Sequence, residues 1–437
     1  MKVEQFISLP VLVFLFFVSL TCAAQPVSDG NGAAATSNAG LESVAARIAD
    51  RDFPSIFAPW NFGPNAQPKA PDPANASSAK ETRIAAIAHH DLYWNEWASL
   101  GLKVPDDQPY VILSPQFTPE SIQAALKNRA SMLAANPNLL LLANVHYFSV
   151  NGASKWAPPQ YWIGGNKNNE YKSQKLDFTN PEFQDKIAAF AGALVKTGVF
   201  DGIMLDLWNT QWDDKQNAGE ELAARLPLIQ KMRAAVGEKG LIIVNVNGKL
   251  PMPLSTAPYI NGLYMEGLGG NFFPDWRTAA ANMGWAQSHL HQPVITALEG
   301  WYGCGDCMGD PNALQQQGRA NLALMRNITT LSLVFSNGYT LFSDPNQLPT
   351  PDHLHDWYPF WGKSLGKAVG PLATLNRPDL SGAYTRQFEK GEAVFNPSSN
   401  RPVDVKFQEV RRSAATNATG QSFTVAAGDG DLFLKVN

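Results

Sequence analysis

From residue 54 onward, short apolar runs alternate with longer stretches whose apolar positions recur every three to four residues. "PSIFAPW" (54–60) reads as a first strand, followed by a helical stretch over 82–100 and a second strand in "PYVILS" (109–114). "TPESIQAALKNRASMLAA" opens on Thr118 as N-cap, with Pro119 at the first helical position. It leads into a third strand, "NLLLLANVHYF", ending near His146. The alternation then repeats. A helix in "NPEFQDKIAAFAGALVKTG" precedes the fourth strand, "GIMLD" (202–206), and a helix over 218–236 precedes the fifth, "GLIIVNVNG". The sixth is "YINGLYMEG". Helices over 275–290 and 314–332 precede the seventh, "PVITALEGW", and the eighth, "GYTLFSD". Eight strands at βα spacing predict an α/β fold, a (β/α)8 TIM barrel over residues 51–375. An open doubly wound sheet would favour a Gly-rich phosphate turn after an early strand, and the sequence carries none there.

Past Pro371 the period changes. "LSGAYTRQFEKGEAVFNPSSNRPVDVKF" alternates apolar and polar residues between turn signals, which predicts a small C-terminal antiparallel β domain over 376–437. The opposite end is a leader: one early lysine, an apolar run from Phe6 to Leu20, then small residues with a cleavage site at Cys22-Ala23-Ala24 before Gln25. Its uninterrupted apolar stretch is short of the ~20 residues a spanning helix needs and contains Pro10, so export rather than a membrane anchor is expected. The mature protein is then secreted or periplasmic, with no integral span. Acylation of Cys22 as a lipoprotein is the alternative, although Thr21 is bulkier than the usual preceding residue. Residues 25–50 read as a small-residue linker.

Composition narrows the functions. With 437 residues, 45% hydrophobic and 16% charged, the chain is globular, and a net charge of −4 offers no basic patch for nucleic acid. Without Cys22, two cysteines remain, too few for a four-ligand zinc site. In an oxidising compartment Cys304 and Cys307, in "GCGDCMGD", are expected to close a short loop disulfide. Asn75, Asn327 and Asn417 are glycosylation sequons if the host glycosylates.

Chemistry in such a barrel sits where the strands end. Those ends carry Trp60 and Asn61 (first strand), Asn144 and His146 (third), Asp206, Trp208 and Asn209 (fourth), Asn245 and Asn247 (fifth), Glu266 (sixth), Glu299 and Trp301 (seventh) and Asp344 (eighth). Amides both donate to and accept from hydroxyls, indoles stack on the C–H face of a pyranose, and paired carboxylates supply the acid and the base or nucleophile of glycosidic cleavage. A neutral carbohydrate substrate fits this set. Plainer readings exist: Asp206 could cap the next helix, Glu299 could bind substrate rather than catalyse, and Asp344, which precedes a proline, could only start a turn. Trp94, Trp97, Trp276 and Trp285 stand at helical spacing and read as packing residues. Those at 60, 208, 212, 301, 357 and 361 follow strands or lie in loops.

The histidines are poorly placed for a metal. His89 and His90 fall in a helical stretch, His289 and His291 precede the seventh strand, and His353 and His355 find no partners at the first. Neither metal nor cofactor is expected. A non-catalytic carbohydrate-binding barrel and a metal-dependent hydrolase are the alternatives to a glycosidase.

"FDGIMLDLW", "LDFTNPEFQDKI", "LYMEGL" and "GEAVFNPS" together resemble the hypothetical glycosyl-hydrolase-like family fifteen, related in pattern to the endo-α-1,4-polygalactosaminidase-like barrels, over roughly residues 52–410. The resemblance implies a glycosidase whose strand-four acid, Asp206, and strand-six acid, Glu266, are the catalytic carboxylates. By analogy Asp206 is the nucleophile and Glu266 the general acid/base, with Glu299 in reserve. Sugar, linkage and stereochemical course stay open.

Overall fold

The computed structural model describes residues 43–60, 83–113, 115–151, 155–168, 173–210, 213, 217–247, 252, 254–268, 275–301, 311–343, 353, 355 and 357–436. Asn61, Asn75, Trp212, Cys304, Cys307, Asp344 and the expected leader lie outside them.

Eight parallel strands form one sheet in chain order: β1 (Phe57–Pro59), β2 (Leu92–Glu96), β3 (Leu140–Asn144), β4 (Gly202–Leu205), β5 (Leu241–Asn245), β6 (Gly262–Leu268), β7 (Ile295–Trp301) and β8 (Tyr339–Ser343). The Thr340 N–H donates to the Ser55 carbonyl at 2.9 Å, and Ile56 bridges Thr340 in parallel, so the sheet closes on itself. The strands are near-continuous apolar runs because helices cover the outer face while side chains fill the inner one. The helices are α1 (Val44–Asp50), α2 (Arg83–Ala88), α3 (Pro119–Ala135), α4 (Pro181–Lys196), α5 (Ala218–Val236), α6 (Trp276–His289) and α7 (Pro311–Phe335). Three start as their sequences require: the side chains of Thr118, Asn180 and Asp275 accept from backbone N–H groups of the first turns of α3, α4 and α6.

Two expectations need correcting. The second strand is not 109–114 but Leu92–Glu96, inside the stretch expected to be helical, and the helix there shrinks to α2. "LYWNE" is slotted between β1 and β3, with Leu92 opposite both Phe57 and Leu140, and that pairing overrides the local period. Residues 111–113 form a 3-10 turn whose Val111 and Ile112 N–H groups bond to Lys155 and Trp156 carbonyls outside the barrel sheet. The linker, likewise, stops short of residue 50. α1 buries Arg47, which donates to the Leu139 carbonyl and pairs with Asp201 between α4 and β4. Arg129 of α3 reaches the same carboxylate at 2.8 Å, so two guanidiniums satisfy one buried charge.

Between β3 and α4 stands a three-stranded antiparallel insert, Ser149–Asn151, Trp162–Asn168 and Ser173–Leu176. Lys175 within it is ion-paired with Glu221 of α5. The C-terminal residues form a five-stranded antiparallel sheet of β9 (Tyr384–Phe388), β10 (Gly391–Asn396), β11 (Val403–Ser413), β12 (Thr419–Val425) and β13 (Asp429–Lys435), ordered β9-β10-β13-β11-β12. It packs on α7, where Arg326 pairs with Asp429 at 2.7 Å. The Asn327 amide donates to the Asn396 and Asp429 carbonyls there, so this sequon is buried and cannot take a glycan, whereas Asn417 is exposed.

Candidate active site

Side chains alternate along a strand, so residues two apart face the same way. Tyr264 and Glu266 of β6, Glu299 and Trp301 of β7, and Met204 and Asp206 at the end of β4 are spaced this way. Phe57, Trp94 and Tyr264 meet across the barrel interior, Phe57 stacked on Trp94 at 5.2 Å and Tyr264 edge-on to Trp94 at 5.0 Å. The Trp60 ring lies 6.0 Å from Tyr264 and 5.1 Å from His353. Tyr264, whose hydroxyl donates to Glu299, joins this aromatic cluster to the acids.

Asp206 and Glu266 share a partner. The Asn245 amide donates to Asp206 Oδ1 at 2.8 Å and to Glu266 Oε2 at 2.7 Å. Those two oxygens can be no further apart than the two bonds laid end to end, about 5.5 Å. Asp206 Oδ1 also accepts from the Leu207 N–H at 2.9 Å. Glu266 Oε2 accepts a second amide, Asn247 Nδ2, at 2.7 Å, while the Asn247 carbonyl oxygen is held by the Asn209 amide at 2.9 Å. Glu266 Oε1 faces His353 Nε2 at 3.7 Å.

Behind them sits Glu299, fully buried. Its oxygens accept from the Tyr264 and Ser343 hydroxyls, and His353 Nδ1 lies 2.9 Å from Oε2. On the other flank His146 Nε2 meets Glu96 Oε2 at 2.9 Å, and the Asn144 amide donates to Glu96 Oε1 at 2.9 Å.

The environments push these groups apart. Burial raises the Glu266 carboxyl to about 8, with the Glu299 and Asp206 charges adding to the shift and His353 opposing it. Burial also raises Asp206, but the Asn245 and Leu207 bonds hold back that rise. Glu299 goes the other way: burial would raise it, yet His353 and the two hydroxyls keep it below the usual carboxylate range. His146 lies above its ordinary value, since the Glu96 contact outweighs burial. Glu266 is thus the group that keeps a proton at neutral pH.

Backbone conformation is unusual here. Of the six non-glycine residues with positive φ among those described, Trp60, Leu207, Asn247 and His353 all belong to this region.

The expected residues fare unequally. Asp206, Glu266, Glu299, Asn245 and Asn247 come together in one network. His146 stands beside it, coupled to Asp206 by charge. Asn245 and Asn247 are buried with their amides committed to the carboxylates, so they hold the acids rather than offer themselves to a ligand. Trp208 is a correction: it is fully buried against the Tyr147 ring at 5.1 Å and has no face for a sugar. Trp301 is also buried, 6.1 Å from His353, and Trp361 belongs to the core. Trp94 packs as expected, from a strand instead of a helix.

Sequence reasoning missed Glu96, Tyr264 and Ser343, and weighed His353 only as a metal ligand. Tyr264 was findable, two residues before Glu266 on the same strand. Glu96 was hidden by the helical reading of its segment. Among the described residues Glu266, Glu299 and His353 offer ligand atoms within 4.8 Å of one another. The donor set does not fit a metal ion well, because Glu299 is already engaged by two hydroxyls and His353 Nδ1 points at it. An imidazole bridging two carboxylates explains the same geometry.

No helix among the described residues is long and apolar enough to cross a membrane. No family model matches the chain, and no curated protein matches it by sequence. Among solved structures, an α-amylase from Malbranchea cinnamomea superposes with a TM-score of 0.50 at 12% identity, covering 90% of this chain and 98% of that one. A pullulanase from Bacillus acidopullulyticus gives 0.50 at 8%, over 91% and 62%. The glycoside hydrolase domain of PelA from Pseudomonas aeruginosa gives 0.37 at 13%, over 66% and 94%. At such identities the likeness of the first two shows the fold: this chain is built as those barrels are.

Proposed function

We propose that the protein is a glycoside hydrolase that cleaves O-glycosidic bonds of a poly- or oligosaccharide by a retaining mechanism. The observation that carries this reading is the single Asn245 amide bonded to both Asp206 and Glu266. It keeps their nearest oxygens within about 5.5 Å, close enough for a nucleophile and its acid/base partner to act on one glycosidic bond. The glycosidase folds it superposes on support the same reading by analogy of architecture.

In this mechanism Glu266 gives its proton to the glycosidic oxygen as the C1–O bond breaks, and an Asp206 oxygen bonds to C1. Glu266, now a carboxylate, takes a proton from water as the water oxygen attacks C1 and Asp206 departs. Glu266 enters protonated because of its raised pKa, while the two N–H groups on Asp206 favour its ionised form against the burial that raises it. The leader further supports a place of action outside the cytoplasm, secreted or periplasmic.

A panel of glycans identifies a substrate, and aryl glycosides then assign the roles. E266Q is expected to keep its first step on an aryl glycoside with a good leaving group, and azide to restore turnover in E266A with retained configuration. D206N is expected to lose that step whatever the leaving group. First product of inverted anomeric configuration, seen by NMR in the wild type, would rule out Asp206 as nucleophile.

A further inference from the structure

Glu299 is a further strand-end acid of the barrel mouth, yet it is fully buried and its oxygens are engaged by Tyr264, Ser343 and His353. A carboxylate so enclosed has no open side for a sugar. What it does reach is an imidazole. His353 Nδ1 lies 2.9 Å from one Glu299 oxygen and 3.1 Å from the other, and beside a carboxylate that nitrogen carries the proton. The opposite nitrogen, Nε2, is then aimed at Glu266 Oε1 across 3.7 Å. The ring is also confined by Trp60 at 5.1 Å and Trp301 at 6.1 Å, and its backbone is held at φ +65°.

We propose that His353 is a positioning residue for the acid/base Glu266, holding the carboxylate that forms when Glu266 gives up its proton, and that Glu299 acts through His353 rather than on substrate. The inference rests on the glycosidase reading for its catalytic meaning, but its geometry does not. In the first chemical step Glu266 becomes negative in a buried place. Two amides, from Asn245 and Asn247, meet one of its oxygens, and among the described residues His353 is the cationic group that faces the other. An imidazolium there offsets the new charge and lets Glu266 serve as base in the second step. Other ionisable groups face this ring: Tyr264 from β6, Asp206 from β4, and His355 from its own segment. Burial pushes His355 down to about 4, so it adds no charge.

Two measurements test this. In the pH profile of kcat/KM, H353N is expected to move the alkaline limb upward by about one pH unit, a tenfold change in the ionisation constant of Glu266, because a cation within ~4–6 Å of a carboxylate is worth that much or more. Asn suits the left-handed backbone at 353. A purely structural role would lower kcat and leave the limb in place, which would overturn the proposal. The second measurement needs no substrate: NMR titration of the histidine ring signals in the wild type, E266Q and E299Q. The His353 signal is expected to show a step as Glu266 ionises that vanishes in E266Q, and to lose its proton at lower pH, by at least about one unit, in E299Q. Identical His353 titrations in all three proteins would sink the proposal even if the glycosidase reading holds. Absence of hydrolysis with the coupled titration present would sink the glycosidase reading instead.

Discussion

Keeping a proton on Glu266 at neutral pH has a stability consequence besides the catalytic one proposed for it. A carboxyl raised from 4.5 to about 8 binds a proton in the folded chain that the unfolded chain has released. Its contribution is fully present below pH 4.5 and is lost as pH rises toward 8, so stability falls across that window. E266Q removes the titration and replaces the acid by a neutral amide. At pH 8 the variant is expected to be more stable than the wild type by roughly 1–2 kcal/mol, the usual scale for relieving a functional site. Near pH 4 the two should converge. Denaturant melts at both pH values check this, and a difference independent of pH would contradict it. Asp206 presents the milder form of the same tension, with two N–H donors holding back the rise that burial causes.

Strand contacts put those residues within reach of one another, and β4 against β5 is the tightest case. A Cβ on Gly202 would stand 2.1 Å from the Leu241 carbonyl oxygen, backbone on backbone. G202A must push the strands apart at the start of the run that ends on Asp206, while Asn245, its hydrogen-bond partner, ends the neighbouring strand. A loss of about 1–3 kcal/mol, the cost of overpacking, is expected together with lower activity. Gly219, in the first turn of α5, is the control: nothing lies within 4 Å of a Cβ there. G219A should be neutral or stabilise the protein by up to about 1 kcal/mol, since alanine is the better helix former. Thermal melts of the two variants moving by equal amounts would contradict the strand-contact argument.

Across the whole molecule, the change of texture past Pro371 marks a change of architecture within one compact unit. Trp276 and Phe335 of the barrel helices meet Tyr384 and Phe395 of the C-terminal sheet, with Phe335 5.0 Å from Tyr384 and Trp276 5.2 Å from Phe395. These aromatics belong to the same core as the barrel strands. Ending the chain at residue 375 would expose that surface and strand Arg326 without Asp429. The full chain is therefore expected to melt in one calorimetric transition, and the truncated barrel to be insoluble or several degrees less stable. Two separate transitions would show the sheet to be an independent appendage. The barrel, the Thr118 cap and the strand-end acids were legible in the sequence because βα alternation, capping residues and period-two patterning are local, each set by neighbours a few residues away. Pairings between distant segments were not. Reading 92–96 as helix hid Glu96, since its strand exists through β1 and β3; α1 looked like linker because Arg47 finds its carboxylate 154 residues later. The enclosure of Glu299, and the Asn245 amide shared by two acids, arise where β4 through β8 converge. A strand end tells which residues reach the mouth of a barrel, but which of them face the substrate and which face each other depends on the closure of the sheet.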